Sequence, residues 1–310
     1  MSRNNKQASQ DYYNRKQANH YTDYHVRQPQ ELMDFLLAVV TSGNRTRAKQ
    51  LLTQRMVYVD KVITTQYNTP LQAGQLVQIA SRGNIHSLNN PFVHIVYEDA
   101  FLIVIDKAPG ILTNAPLEGR ENNVKRILDE YLKRGNKPVR SHTVHRLDRY
   151  TSGLMVFAKR RDVQEIFMEH WQEIVTDRRY EAVVEGRMER DTGTVRSWLY
   201  DDKRFMTHSS PTETEEGRLA ITHYHTLQRS DNCSLVEFKL ETGRKNQIRV
   251  HMQDLHHPVV GDLKYGAQTD PIGRVCLHAY RLAFIHPITH EQLQFDSPVP
   301  VEFGKLMKSV

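Results

Sequence analysis

The sequence predicts an α+β fold, in which a mixed, largely antiparallel sheet with flanking helices follows a small N-terminal α/β module. Apolar runs typical of strands outnumber helical patterns, and many follow one another directly, which favours this fold over a doubly wound sheet. The charge of the 310-residue chain is also uneven. Residues 1–90 hold 11 Lys and Arg against 5 Asp and Glu, whereas the remainder holds 31 of each sign.

The small module is predicted to contain two helices. The first begins after Pro29 and ends at a Ser-Gly-Asn turn over residues 42–44. Its apolar positions, at helical spacing, are Leu32, Phe35, Leu36 and Val39. The second helix surrounds a small apolar stripe with four basic side chains, which are Arg45, Arg47, Lys49 and Arg55. Such a face suits phosphate contacts, although many charged helix faces are merely solvated.

Turn-forming residues separate the predicted domains. Two short strands near residues 57–62 and 76–79, with a turn at Ala73-Gly74, complete a module that spans residues 28–80. The polar residues 1–27 are expected to form a flexible tail. Residues 81–92 contain Ser, Gly, Asn and Pro and are expected to form a linker, so the larger domain spans residues 93–310.

Apolar periodicity places the elements of the larger domain. Strands are predicted near residues 94–97, 101–105, 154–158, 180–186, 219–227, 234–241, 277–285 and 292–296. Helices are predicted near residues 124–132, 163–174 and 248–255. The sheet elements therefore dominate this part of the chain.

Residues 145–159 hold the strongest candidate for chemistry. Asp148 stands between Arg146 and Arg149, whose charges favour an ionised carboxylate ready to act as a nucleophile or a base. Thr151-Ser152-Gly153 is interpreted as a turn, and the apolar run after it as a strand that fixes the aspartate on rigid backbone. An arbitrary aspartate in this setting would more often belong to an exposed ion pair on a loop.

Two later residues are candidates that also have plain structural interpretations. Tyr180 opens an alternating strand, where most tyrosines are half-buried aromatics. Arg249 lies on a predicted helix and would by itself be assigned to a solvated face. The nearby His251, His256 and His257 lack cysteine or carboxylate at a recognised ligand spacing, so we expect no metal site.

The string His145-Arg146-Leu147-Asp148, followed by Thr151-Ser152-Gly153, closely resembles the HRLDxxTSG signature of the RluA-type RNA pseudouridine synthases. Three further segments are similar to family motifs in the same order. They are residues 179–186 around Tyr180, residues 242–252, where Asn246 replaces the usual histidine of TGRxHQIRVH, and residues 277–287. The resemblance extends from about residue 93 to the end of the chain.

This resemblance implies an isomerase that converts uridine to pseudouridine in RNA without a cofactor. It makes Asp148 the catalytic carboxylate, which either attacks the nucleotide or abstracts a sugar proton, and Arg249 the partner that keeps it ionised. The uridine must be flipped out of its stack. Tyr180, the active-site tyrosine, would then pack on the uracil while Arg146 fills the vacated space, and we expect Arg149 and Ile248 to contact the substrate as well.

The small module resembles the S4 RNA-binding module over about residues 30–80, whose basic helix lies against the phosphate backbone. This implies that the four basic side chains of the second helix bind RNA. An S4-like module beside an RluA-like domain is similar to bacterial synthases that modify large-subunit ribosomal RNA, so rRNA is the favoured substrate. Single-domain relatives act on tRNA, which is the alternative.

Two alternatives from other functional classes are considered. A non-catalytic RNA-binding assembly factor could retain this fold, although the intact string around Asp148 argues against it. A glycoside hydrolase could also use a carboxylate, but such enzymes normally need a second one, and no segment supplies it.

Composition sets further limits. Cys233 and Cys276 are too few and too far apart for a disulfide framework or a zinc finger. No apolar run approaches the length of a membrane span, and the first 30 residues do not resemble a signal peptide. We therefore expect a cytoplasmic protein that binds RNA rather than membranes and is a monomer.

Overall fold

The protein is described here by a computed structural model. The described residues are 21–53, 56–60, 62–64, 66–80, 88, 90–114, 121–133 and 139–308. Two compact units are present: the first comprises Met1–Ser87 with Tyr97–Ile103, and the second comprises Leu88–Val96 with Val104–Val310. The division at residues 87 and 88 falls within the predicted linker, most of which lies outside the described residues.

The first unit contains a four-stranded sheet of order β1-β6-β3-β4, a separate β2-β5 pair, and two helices. Its elements are β1 (Tyr21–His25), β2 (Gln30–Glu31), α1 (Leu32–Phe35) with a π-helical continuation (Leu36–Val40), α2 (Arg45–Thr53), β3 (Val57–Val59), β4 (Val62–Ile63), β5 (Pro70–Leu71) and β6 (Leu76–Ala80). The apolar stripe forms the core, in which Leu32, Phe35, Leu36 and Ala48 are fully buried. Val39, predicted on the same stripe, is exposed instead.

Two expectations for this unit are corrected. Residues 21–25 of the predicted flexible tail form β1, which pairs antiparallel with β6, with Tyr21 opposite Ala80. This edge strand is mostly exposed and is held by backbone pairing, so its side chains carried no apolar signal. The single strand predicted at residues 57–62 is a β3-β4 hairpin, because Asp60 adopts a left-handed conformation with φ 49°. Residues 1–20 of the predicted tail lie outside the described residues.

The larger sheet has eleven strands in the order β13-β12-β14-β15-β11-β16-β10-β8-β7, with β17 on β16 and β9 on β10. It belongs to the second unit except at Tyr97–Glu98 of β7 and Leu102–Ile103 of β8, which fall in the first. Its strands are β7 (Val93–Glu98), β8 (Leu102–Lys107), β9 (His142–Thr143), β10 (Ser152–Ala158), β11 (Val175–Glu185), β12 (Thr192–Asp201), β13 (Thr207–Ser210), β14 (Arg218–Arg229), β15 (Cys233–Leu240), β16 (Leu277–Ile285) and β17 (Gln292–Asp296). The helices of the second unit are α3 (Val124–Leu132), α4 (Arg161–Glu169), α5 (Trp171–Ile174), α6 (Gln247–Asp254) and α7 (Val301–Leu306), with a 3₁₀ turn at Leu263–Tyr265.

The sheet is mixed and largely antiparallel, as predicted. β10 and β16 run parallel, whereas β11, β12, β14, β15 and β17 pair antiparallel with their neighbours. The sequence did not indicate β12 and β13, because only Ser197 and Leu199 of β12 are buried and the strand contains few apolar residues. The helix predicted at residues 163–174 is two helices, α4 and α5, which are separated at His170.

The predicted turn at Thr151-Ser152-Gly153 is also displaced. The turn closes earlier, where the Thr151 amide donates to the Asp148 carbonyl at 3.2 Å, and β10 already begins at Ser152. Gly153 lies inside the strand with φ +116°, and a Cβ there would lie 2.2 Å from the Ala279 carbonyl oxygen of β16. Glycine therefore allows the two central parallel strands to approach closely.

No helix among the described residues is long and apolar enough to cross a membrane.

Candidate active site

A cleft of about 360 Å³ in the second unit brings together residues that are far apart in the sequence. Its walls include Asp148, Arg146, Tyr180, Ile248 and Arg249, which are five of the six substrate or catalytic residues predicted for the larger domain. They come from the loop before β10, from β11 and from the start of α6.

The backbone on both sides of Asp148 is fixed by buried polar side chains. Thr113 Oγ1 donates to the Leu147 carbonyl at 2.8 Å and accepts from the Leu147 amide at 3.2 Å. On the other side, Lys107 Nζ donates to the carbonyl of Arg149 at 3.1 Å. Burial, reinforced by Arg274, lowers the pKa of Lys107 to about 7, while Asp148 opposes that shift. The Asp148 carboxylate is thus presented on a rigid loop, with 23% of its side chain exposed.

Arg249 is the cation that contacts this carboxylate, with Nη1 3.1 Å from Asp148 Oδ2. It is not on a solvated helix face, because 11% of its side chain is exposed. Its Nε and Nη2 donate to the two oxygens of Asp262 at 2.5 and 2.7 Å, and its guanidinium lies 4.8 Å from the ring centre of Tyr265. Burial would lower the pKa of Arg249, but the hydrogen bonds with Asp262 and the Asp148 charge raise it overall.

Asn246 completes the support of Arg249. It precedes α6 in a left-handed conformation with φ 55°, which asparagine tolerates better than most residues. Its Oδ1 accepts from Arg249 Nη1 at 2.9 Å, and its Nδ2 donates to the Tyr265 hydroxyl at 2.8 Å. The position that departs from the family motif therefore orients the arginine that pairs with Asp148.

Arg149, which is expected to contact the substrate, pairs with another side chain in the structure. Its side chain forms an exposed ion pair with Glu121 at 2.7 Å and does not belong to the cleft wall. Arg146 is exposed at the cleft, where it pairs with no carboxylate of the described residues. The cation in contact with Asp148 is Arg249, 101 residues away, which is the partner that the family resemblance implies.

Tyr180 lies within the cleft wall with 5% of its surface exposed. Alternation along β11 turns Arg178, Tyr180 and Ala182 to the same buried side of the strand. Burial raises the pKa of the Tyr180 hydroxyl. The charge of Arg178 opposes this rise, and the charge of Asp148 adds to it. The phenol is consequently protonated near neutral pH.

Comparison with known proteins decides the family. A family model described as RNA pseudouridylate synthase matches residues 101–254. YjbO of Bacillus subtilis, an uncharacterized RNA pseudouridine synthase, is 39% identical over 69% of this chain and 75% of its own length. The ribosomal large subunit pseudouridine synthase D of Haemophilus influenzae is 31% identical over 91% of each chain.

The chain belongs to the RNA pseudouridine synthase family. It is an isomerase, and this assignment removes the glycoside hydrolase alternative. Among solved structures, the human RNA pseudouridylate synthase domain containing 1 protein matches 70% of this chain and 86% of its own, with 25% identity and a TM-score of 0.56.

A directed chain of hydrogen bonds anchors the start of β10 in this synthase. Ser297 donates to Asp106 at 2.6 Å, so its oxygen accepts from His278 Nε2 at 3.1 Å. His278 Nδ1 then accepts from Ser152 at 2.8 Å, and Ser152 accepts from Arg274 at 2.8 Å. Since Ser152 follows Asp148 by four residues, these hydrogen bonds hold in place the strand that follows the Asp148 loop.

Two of the three histidines noted in the sequence have side-chain partners, and the third, His256, is exposed. His251 is buried, and its ring nitrogens lie 3.0 Å from Ser197 Oγ and 2.8 Å from Thr222 Oγ1. His257 Nδ1 lies 2.8 Å from the Glu185 carbonyl. In the part of the chain that the structure describes, no group of three His, Cys, Asp or Glu side chains is arranged to hold a metal ion.

Sequence reasoning missed several residues of the site. Asp262 and Tyr265 were assigned no role from the sequence, and the carboxylate that a buried arginine normally needs is supplied to Arg249 by Asp262. Arg178 and Trp171 also line the cleft. The signal for Arg178 was its position two residues before Tyr180 on an alternating strand.

The predicted RNA-binding side chains lie in the first unit. Arg45, Arg47 and Lys49 are exposed on α2, whereas Arg55 lies outside the described residues. Ala48, Leu51 and Leu52 of the same helix are buried, so the basic residues occupy its solvent side.

Proposed function

We propose that Asp148 is the catalytic carboxylate of this pseudouridine synthase and that its substrate is a uridine of large-subunit ribosomal RNA. The observation that carries the proposal is the Asp148–Arg249 pair at 3.1 Å in the wall of a cleft. The carboxylate is partly exposed and can reach a substrate, whereas its cation is buried and fixed by Asp262.

The reaction breaks the bond from uracil N1 to ribose C1′ and forms a bond from uracil C5 to C1′. The proton on C5 is lost and N1 gains a proton, so atoms and electrons balance without an oxidant or a reductant. Asp148 supports this exchange either by attacking the nucleotide or by removing a sugar proton. Both routes need an ionised carboxylate, and the guanidinium of Arg249 lies 3.1 Å from it.

The remaining cleft residues receive the flipped nucleotide. Tyr180 offers an aromatic face to the uracil and a protonated hydroxyl close to the reacting atoms. Ile248 contributes an apolar wall. The exposed Arg146 fills the position that the base leaves in the RNA stack, which offsets part of the cost of flipping, a few kcal/mol.

Two observations support ribosomal RNA as the substrate. The Haemophilus influenzae relative, named for the ribosomal large subunit, aligns over 91% of this chain, including most of the first unit. That unit presents Arg45, Arg47 and Lys49 on one solvent-facing helix surface, in keeping with an S4-like module that contacts phosphates. We place the enzyme in the cytoplasm, where it meets ribosomal RNA as a monomer. tRNA is the alternative substrate.

The test measures tritium release from RNA labelled at uracil C5, because only the displaced C5 hydrogen is lost. Unmodified transcripts of large-subunit rRNA and of tRNA are compared. The wild type should release tritium from rRNA, and Asp148→Asn should bind the transcript normally while its turnover falls by at least about 10³-fold. Asp162→Asn, at an exposed aspartate of α4, serves as the matched control.

Appreciable product from Asp148→Asn would reject the catalytic assignment. Release from tRNA alone would reject the substrate and leave the chemistry intact. Tight RNA binding by a wild type without turnover on either RNA would favour the non-catalytic assembly factor.

A further inference from the structure

We propose that Arg178 forms a phosphate-binding subsite in the cleft, where it holds the phosphodiester attached to the flipped uridine while Asp148 acts on that nucleotide. This inference rests on the proposed function, since it concerns the same cleft and an RNA substrate. It adds a binding residue that neither the sequence motifs nor the family match assigns.

Arg178 is a buried cation that has no anionic partner among the described residues. It is 9% exposed and forms a single hydrogen bond, from Nη2 to the Thr242 carbonyl at 2.9 Å. A guanidinium carries five N–H donors, and buried charges are normally paired. Most of the hydrogen-bonding capacity of Arg178 is therefore unused in the free protein.

Among the described residues, Arg178 is the one buried arginine of the cleft wall without a carboxylate partner, whereas Arg146 and Arg244, which also lack one there, are exposed. Arg179, its neighbour on β11, pairs with Asp177 and Glu237, each at 3.0 Å. Arg249 is bound by Asp262 and Asp148. Arg274 also lacks a carboxylate within the described residues, but it donates to Ser152 and to two backbone carbonyls and lies outside the cleft wall.

The guanidinium of Arg178 is held in place before any ligand arrives. It lies 5.4 Å from the centre of the Trp171 ring, and its Nη atoms pack against Gly243. A Cβ at Gly243 would lie 3.1 and 3.2 Å from those two nitrogens, so glycine leaves the space that they occupy. A planar fork preorganised in this way suits two oxygens of one phosphate.

A second donor without an acceptor lies beside the same tryptophan. His145 Nε2 accepts from the Val156 amide at 3.0 Å, so in the neutral ring the proton is on Nδ1. That enclosed Nδ1 has no hydrogen-bond partner within the described residues, and the ring lies 5.3 Å from Trp171. Burial, with Arg178 adding to it, lowers the pKa of His145 to about 3 and keeps the ring neutral.

A phosphate fits these donors better than a uracil carbonyl does. A carbonyl oxygen is neutral and leaves the buried charge uncompensated, whereas a phosphodiester neutralises it. The cleft is of the size that accepts one small ligand, so the phosphate that accompanies the flipped nucleoside is the nearest anion. Arg178 thereby fixes the sugar relative to the Asp148 carboxylate.

The test compares dissociation constants of three probes measured by ligand-observed NMR: uridine, uridine 5′-monophosphate and uridine 3′-monophosphate. The wild type should bind one monophosphate at least fivefold more tightly than uridine. Arg178→Gln should reduce this preference to less than twofold and leave the affinity for uridine unchanged. Arg187→Gln, which removes an exposed arginine just beyond β11, should keep the wild-type preference.

Two results would overturn the proposal. Arg178→Gln could weaken all three probes equally, which would indicate a general structural role, or it could weaken none of them. Circular dichroism verifies that the variant is folded. If it is not, Arg178→Lys decides: retention of charge without the planar fork should lower the phosphate preference, and an unchanged preference contradicts the subsite.

A second readout uses RNA itself. The slope of log affinity for the rRNA transcript against log salt should become shallower by about one in Arg178→Gln, because one phosphate contact is lost. Neither measurement requires turnover. Failure of the subsite is therefore distinguishable from failure of the proposed catalytic role of Asp148.

Discussion

The cleft of the second unit and helix α2 of the first unit present positive charge in opposite ways. In the cleft, Arg249 is buried, and three acceptor side chains fix its guanidinium. On α2, Arg45 and Arg47 are exposed to solvent. The comparison teaches that a buried cation is defined by its partners, whereas an exposed cation contributes a charge that another residue can supply.

The physical reason is solvation. Removal of one member of a buried ion pair leaves an uncompensated charge in a poorly solvated place, which costs several kcal/mol. An exposed charge is screened by water and salt, and its pairwise contacts contribute little. Changes in the cleft should therefore have large and specific effects, and changes on α2 small and additive ones.

The largest effect is expected from Asp262→Ala. This change removes both hydrogen bonds that hold Nε and Nη2 of Arg249, and it should lower the free energy of unfolding by about 3–5 kcal/mol. Turnover should fall as well, because Arg249 no longer holds its place beside Asp148. Urea denaturation measures the stability. Glu130→Ala breaks an exposed ion pair on α3 and is the control, and an equal loss in the two variants would contradict the contrast.

Tyr180→Phe tests whether a single atom matters in the cleft. Loss of the hydroxyl should lower turnover by about 10²-fold or more and leave RNA affinity unchanged, because the ring that packs on uracil is kept. Single-turnover tritium release provides the measurement. Tyr224→Phe, at a buried tyrosine of β14 outside the cleft, should behave like the wild type. Wild-type turnover by Tyr180→Phe would remove any chemical role for the phenol.

The strands of the central sheet could be predicted from the sequence because their apolar runs are long. Leu154–Ala158 is wholly buried in β10, and residues 277–285 form β16 as predicted. It failed where backbone pairing, rather than side chains, makes the element. β1 is largely exposed, and only Ser197 and Leu199 of β12 are buried, so no apolar period marks either strand.

The candidate site likewise contains some features that the sequence predicted and others that it did not. The motif around Asp148 pointed to a carboxylate that lines the cleft, and the family resemblance implied Arg249 as its cation, whereas the neighbouring Arg149 pairs with Glu121. The actual contacts join residues of separate elements, such as Arg249 and Asp262, so they depend on tertiary packing. Asn246 could not be interpreted from the sequence because its role lies in a left-handed backbone and in side-chain hydrogen bonds with Arg249 and Tyr265.

Acid should destabilise the second unit through its buried histidines. Burial lowers the pKa of His251 to about 4, while burial together with Arg274 lowers that of His278 to about 3. Below the histidine pKa of the unfolded chain, about 6.5, these two histidines bind protons in the unfolded state but remain neutral in the folded state. Stability should therefore fall as the pH drops, by about 1 kcal/mol for each histidine between pH 7 and pH 5.5.

Urea denaturation at several pH values measures this effect. The free energy of unfolding should depend less steeply on pH in His251→Asn and in His278→Asn, whatever the absolute stabilities of the two variants. His290→Asn, at an exposed site whose left-handed φ suits asparagine, should keep the wild-type slope. Identical slopes in all three variants would show that these buried rings do not resist protonation.

The smallest effect is expected on α2, where charge should be interchangeable. Arg47→Gln should weaken binding of the rRNA transcript about twofold to threefold and make the salt slope shallower by about one, without altering stability. Arg47→Lys should bind like the wild type, because an exposed phosphate contact needs a charge rather than a fork. Arg249→Lys keeps the charge too, yet it should lose turnover, since an ammonium cannot replace the bidentate contact with Asp262. Equal tolerance of lysine at both positions, in filter binding and tritium release, would abolish the distinction between the two regions.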